Sequence, residues 1–164
     1  MQGVVASLVP SPAGSDTGHT RERYEPVKGP QGLPLFKPPY GRLVAIDLNK
    51  GEIKWTVANG DGPRDHPALK GLNLPPLGVP GRVGPLVTKS LVFMGEGFPQ
   101  DPPGSGGKKF RAFDKATGAV VWETTLDGAV TGVPMTYSWQ GKQYLIVPIG
   151  AAGHPGEFIA LSVN

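Results

Sequence analysis

The side chains best suited to chemistry in this 164-residue chain are few. It has three histidines, His19, His66 and His154, and no cysteine, which excludes disulfides and thiolate metal sites. The histidine spacings match no metal-ligand pattern, and a metal site needs several convergent donors. His66 stands in Pro63-Arg64-Asp65-His66-Pro67, where an adjacent carboxylate could make it a ligand or proton carrier. One imidazole and one carboxylate are too few, so a solvated loop histidine is the plainer reading. In Ala151-Ala152-Gly153-His154 the small residues would let backbone approach a flat cofactor. An ordinary loop with a surface histidine is the plain alternative. No Gly-rich phosphate loop or nucleophile motif occurs, and no residue is assigned as a catalytic base or metal ligand.

These residues must be held by short strands. The chain has 25 glycines and 19 prolines, close to the level at which disorder competes with folding. Here they punctuate short runs such as LVFM and QYLIV, rich in β-branched and aromatic residues. The longest stretch free of both is Lys108 to Thr117, leaving little room for a helix. The pattern is all-β. Net charge is +3, and the densest basic group, Lys108, Lys109 and Arg111, flanks a strand-like segment rather than forming a stripe, so nucleic acid is not an expected partner. No apolar run is long enough to span a bilayer, and MQGVVASLVPSPAG lacks the basic and apolar regions of a signal peptide.

An internal repeat organises the chain. LVAIDLNKGEIKW (Leu43 to Trp55) and FRAFDKATGAVVW (Phe110 to Trp122) share Ala, Asp, Gly and Trp at equal spacing. Each is expected to be a strand, a tight turn and a return strand. Asp47 and Asp114 would accept from backbone N–H groups of the turn, and Gly51 and Gly118 would take its positive φ. Trp55 and Trp122 would be buried wedges, with Ile53 on the same face as Trp55. Residues 1–40 read as an irregular or disordered lead-in ending in an extended Pro-rich segment. Residues 41–58 read as an outer hairpin, 59–83 as a Pro/Gly-rich insert over a sheet edge or a substrate funnel, and 84–127 as four antiparallel strands. Residues 128–164 read as three strands, with Ser162 where the repeat has its Asp and the fourth strand missing. Four-stranded units with an Asp…Trp hairpin are the signature of β-propeller blades, so the expected fold is a partial propeller.

AIDLNKGEIKW and AFDKATGAVVW resemble the tryptophan-docking repeats of quinoprotein dehydrogenases, which use pyrroloquinoline quinone (PQQ). GLPLFKPPYGRLVAIDL, DGPRDHP, GRVGPLVT and GVPMTYSWQGKQYLIV are similar to the C-terminal part of the membrane glucose dehydrogenase-like branch. The resemblance covers roughly residues 32–164. It implies an eight-bladed enzyme in which an Asp takes the substrate hydroxyl proton while hydride passes to the quinone, beside a Ca²⁺ ion. It also implies that the catalytic Asp and the Ca²⁺ ligands lie on earlier blades, so this chain alone would bind neither PQQ nor Ca²⁺. By the same resemblance Ala152, Gly153 and His154 would approach the quinone cavity, and Lys37 could meet an acidic group of the quinone. A periplasmic location and a small alcohol or sugar substrate are likewise implied by it.

Two functions are therefore weighed. One is the C-terminal fragment of a PQQ-dependent alcohol or sugar dehydrogenase, inactive without its remaining blades. The other is a non-catalytic propeller-type scaffold that self-associates or binds a protein partner.

Overall fold

The computed structural model describes residues 4–9, 21–26, 28–97, 106–151 and 154–162. Two compact units divide at Lys37/Pro38. In the first, β1 (Val4–Val9) and β2 (Arg21–Pro26) pair antiparallel, with Val4 opposite Pro26 and Val9 opposite Arg21. These two segments are regular strands where an irregular lead-in was expected, and residues 1–3, 10–20 and 27 of it lie outside the described residues. The apolar/polar pattern there is weak, and the hairpin is defined by its backbone ladder instead. A 3₁₀ turn follows at Pro30–Gly32, closed by the Gly29 N–H on the Leu33 carbonyl at 2.6 Å.

The second unit contains three antiparallel sheets. β3 (Arg42–Asp47) pairs with β4 (Glu52–Ala58). The middle sheet runs in the order β5 (Leu86–Val87), β6 (Leu91–Gly95), β7 (Lys109–Asp114), β8 (Val120–Thr125). In the last sheet β9 (Ala129–Val130) and β10 (Met135–Trp139) both pair with one edge of β11 (Lys142–Ala151). β12 (His154–Ser162) takes the other edge, so this sheet is three strands wide. A core of Phe110, Leu126, Val130, Val147 and Ile149 joins the middle and last sheets, with Phe93, Leu145 and Leu161 packed against it. Phe110 stacks on Phe93 at 6.1 Å and meets Trp122 edge-on.

Both hairpins of the repeat carry the same irregularity. Ala45 opposes Trp55 while Ile46 opposes Ile53, and Ala112 opposes Trp122 while Phe113 opposes Val120. The residue before each Trp, Lys54 or Val121, is the extra one of a β-bulge. The bulge turns Ile53 to the face opposite Trp55, contrary to the simple alternation, and Ile53 and Ile46 are both more than half exposed.

The insert after β4 returns to thread between strand ends. The Leu77, Gly78 and Val79 N–H groups donate to the carbonyls of Asp61, Gly60 and Asn59, and the Tyr40 N–H donates to the Leu77 carbonyl. Leu77 and Val79 are buried. A Cβ on Gly78, which has φ +78°, would collide with the Gly41 backbone. Among the described residues no helix is long and apolar enough to cross a membrane.

Candidate functional site

The repeated aspartates are turn residues. Asp47 Oδ1 accepts from the Asn49 and Lys50 N–H groups at 3.0 and 3.3 Å. Asp114 Oδ1 accepts from the Ala116 and Thr117 N–H groups and the Thr117 hydroxyl at 2.8–2.9 Å. The Thr117 hydroxyl, with these backbone donors, holds the Asp114 carboxyl below its usual range. Gly51 and Gly118 close their turns at φ +70° and +76°. Trp55 docks on the next sheet: its Nε1 donates to the Lys115 carbonyl at 3.0 Å, and a Cβ on Gly118 would lie 2.8 Å from its ring. No atom lies within 4 Å of a Cβ built on Gly51, and Trp122 remains 42% exposed. Trp122 instead lines a cleft of about 730 Å³ at this turn end of the middle and last sheets, together with Thr88, Ser90, Tyr144, Leu161 and Ser162.

The ionisable groups gather at the other end of the strands. There Asn59 at the end of β4 donates from Nδ2 to the Gly95 carbonyl at 2.9 Å. The Glu96 N–H reaches the Lys109 carbonyl, and the Leu126 N–H the Lys108 carbonyl. A chain of alternating charge crosses this end. Arg64 meets Asp61 at 3.3 Å; Lys109 bridges Asp61 and Glu123 at 3.1 and 2.9 Å. Arg111 meets Glu123 and, at 2.8 Å, Glu96. Arg111 and Glu96 are both buried, a placement made tolerable by their pairing and by the second contact of Arg111 with Glu123. Burial pushes Asp61 and Glu123 upward, but Lys109 and the arginines outweigh it and hold both carboxyls below their ordinary range. The hydrogen bonds from Lys109 to Glu123 and Asp61 raise the lysine. Asn59 Oδ1 is buried without a protein partner.

His154 opens β12 at this same end. Its Nε2 lies 2.8 Å from Glu157 Oε1, and a Cβ on Gly128 would come within 2.9 Å of its Cδ2. Ala152 and Gly153, named with it from the sequence, lie outside the described residues. Lys37 is exposed on the first unit. His66 serves its own turn: its Nδ1 accepts from the Ala68 N–H at 3.2 Å, and its carbonyl accepts from Leu69 and Lys70. Sequence reasoning passed over Glu96, Arg111, Asn59 and Glu157. Only Arg111 left a signal, as a charge inside the apolar run Phe110 to Phe113. Among the described residues no three His, Asp or Glu side chains are grouped to hold a metal ion.

Consecutive antiparallel sheets, each Asp…Gly hairpin ending in a Trp that can seat on the turn of the next, define a β-propeller architecture. The family described as "PQQ: Glucose/ethanol/alcohol dehydrogenase, beta-propeller domain" matches residues 7–145, and the chain belongs to that family. It is 38% identical over 125 residues to the probable quinate dehydrogenase (quinone) of Xanthomonas campestris pv. juglandis, covering 74% of this chain and 15% of the relative. It is 34% identical over 127 residues to quinoprotein glucose dehydrogenase A of Acinetobacter calcoaceticus, covering 77% and 15%. Among solved structures, a quinohemoprotein alcohol dehydrogenase of Pseudomonas putida HK5 is similar at 26% identity and a TM-score of 0.45, covering 66% of this chain and 12% of that one. The chain thus spans about 15% of the length of the two relatives.

Proposed function

We propose that this chain supplies C-terminal blades of a periplasmic PQQ-dependent dehydrogenase that oxidises an alcohol or sugar hydroxyl to a carbonyl. The observation that supports this is the family match over residues 7–145 by a chain spanning about 15% of its relatives. Its partners are then the remaining blades, and alone it is inactive and binds neither PQQ nor Ca²⁺. The bound quinone would supply the hydride acceptor of the complete ring. The residues here that suit a planar, acidic group are His154, the small residues Ala152 and Gly153 before it, and Lys37 as a cation. The Ca²⁺ ligands of the complete ring would come from its other blades.

A second reading is a non-catalytic scaffold that self-associates. It is favoured by apolar surface on two of the sheets: Ile46 and Ile53 on one, Met135, Trp139 and Phe158 on the other, all more than half exposed. One experiment separates the two. Quinoprotein glucose dehydrogenase A lacking its matching segment is mixed with this chain, and PQQ binding and dye reduction with glucose are measured. Recovery of both supports the enzyme reading. Failure to recover PQQ binding, together with a discrete homo-oligomer of the chain alone, would establish the scaffold.

A further inference from the structure

His154 and Glu157 lie three positions apart on one strand, a spacing that in regular β-structure separates them by ~10 Å and points them to opposite faces. Here their side chains are in hydrogen-bond contact at 2.8 Å. The register explains why. Ile149 opposes Glu157 and Ala151 opposes His154, so β11 advances by two residues while β12 advances by three. The extra residue, in Pro155-Gly156, is a bulge that brings the two side chains onto one face.

The contact also orients the ring. Nε2 faces the carboxylate, and the adjoining Cδ2 faces Gly128, where any side chain would crowd it at 2.9 Å. Gly128 in turn sits so close to Gly150 that its Cβ would be 3.1 Å from that N–H nitrogen. One edge of the imidazole is thus walled by backbone and by Glu157. Nδ1 belongs to the other edge and has no hydrogen-bond partner among the described residues.

We propose that Glu157 is a positioning residue for His154: its carboxylate holds the proton on Nε2 and fixes the ring, so that Nδ1 is the nitrogen offered outward with its lone pair free. This rests on the reading of the His154 end of the sheets as the cofactor-facing end. A second-sphere carboxylate that sets the tautomer of a working histidine is a general device, and it makes the outward nitrogen an acceptor.

The test is nitrogen-15 NMR of the histidine side chains in the whole chain at a pH where the imidazoles are neutral. His154 is expected to carry its proton on Nε2, with Nδ1 pyridine-like and the Nε2–H slow to exchange. In Glu157→Ala the preference for Nε2–H should fall by about three- to tenfold, the scale of one hydrogen bond to a partly exposed carboxylate. Glu157→Gln, which keeps an acceptor oxygen, should retain most of it. His66 is the internal control, because its Nδ1 bond to the Ala68 N–H reports an intact fold in each variant. If Glu157→Ala unfolds the chain, the wild-type tautomer and proton exchange decide alone. A wild-type His154 carrying its proton on Nδ1, or one whose tautomer ratio is unchanged in a folded Glu157→Ala, overturns the proposal. Neither result depends on PQQ, so the enzyme reading stands or falls separately in the mixing experiment.

Discussion

Trp55 Nε1 donates to the Lys115 carbonyl at 3.0 Å, across 60 residues of sequence, while its ring lies against Gly118. This one contact ties the β3–β4 hairpin to the middle sheet through the turn that repeats its own. The two glycines of the repeat are a matched pair for measuring it. Both have φ near +70°, but a side chain at Gly51 would meet open space and one at Gly118 would strike Trp55. Gly51→Ala should cost about 1–2 kcal/mol from backbone strain alone. Gly118→Ala should cost a further ~1–3 kcal/mol from overpacking. Equal midpoints for the two variants in urea denaturation would mean that the docking carries no energy.

Trp55→Phe keeps an aromatic ring but loses the indole N–H donor and the five-membered ring that carries it. It should lower stability by at least about 1 kcal/mol, and Trp122→Phe by less, because the Trp122 indole makes no such bond among the described residues. Thermal unfolding of the two variants side by side decides the point.

The buried Arg111–Glu96 pair is expected to behave as a unit. Arg111→Met leaves the buried Glu96 without its cation and should cost about 3–5 kcal/mol, and Glu96→Gln should cost less because Arg111 keeps Glu123. The double variant Arg111→Met/Glu96→Gln should be less damaging than the sum of the single changes. A double-mutant cycle that closes with no coupling would show the pair to be independent.

Stability should fall at both extremes of pH through the Lys109 cluster. The folded-state pKa values of Asp61 and Glu123 are depressed. Their contribution is therefore present above the unfolded values of roughly 4 and is lost as acid protonates them below that. Lys109 is raised, so its contribution is full below roughly pH 10.5 and is lost as pH climbs through the higher folded value. All three side chains are more than a third exposed, so solvent screening keeps the effect small. Lys109→Met should flatten the unfolding temperature against pH at both ends and reduce its dependence on salt. An unchanged profile would remove the cluster from the account.

The exposed apolar residues predict association of the isolated chain. Ile53→Lys combined with Phe158→Glu should shift sedimentation toward monomer with little change in unfolding temperature, because both side chains are already 65% and 76% exposed. A loss of stability instead would mean that they support the fold from within.

Much of this architecture is a local matter and can be read from the residues in order. Asp47, Gly51, Asp114 and Gly118 specify their turns because each turn is closed by bonds among five consecutive residues. Strand identity likewise follows from short β-branched runs bounded by Gly and Pro. What the chain order could not express is register. A single bulged residue before each Trp moves Ile53 to the other face, and one in Pro155-Gly156 brings Glu157 to His154. The charge cluster depended on it too: Asp61, Glu96, Lys109, Arg111 and Glu123 come from four separate segments and share no motif. Alternation predicts faces only while two strands advance in step. Where one strand takes an extra residue, which side chains meet is decided by the pairing of distant backbone, and that pairing exists only in the folded sheet.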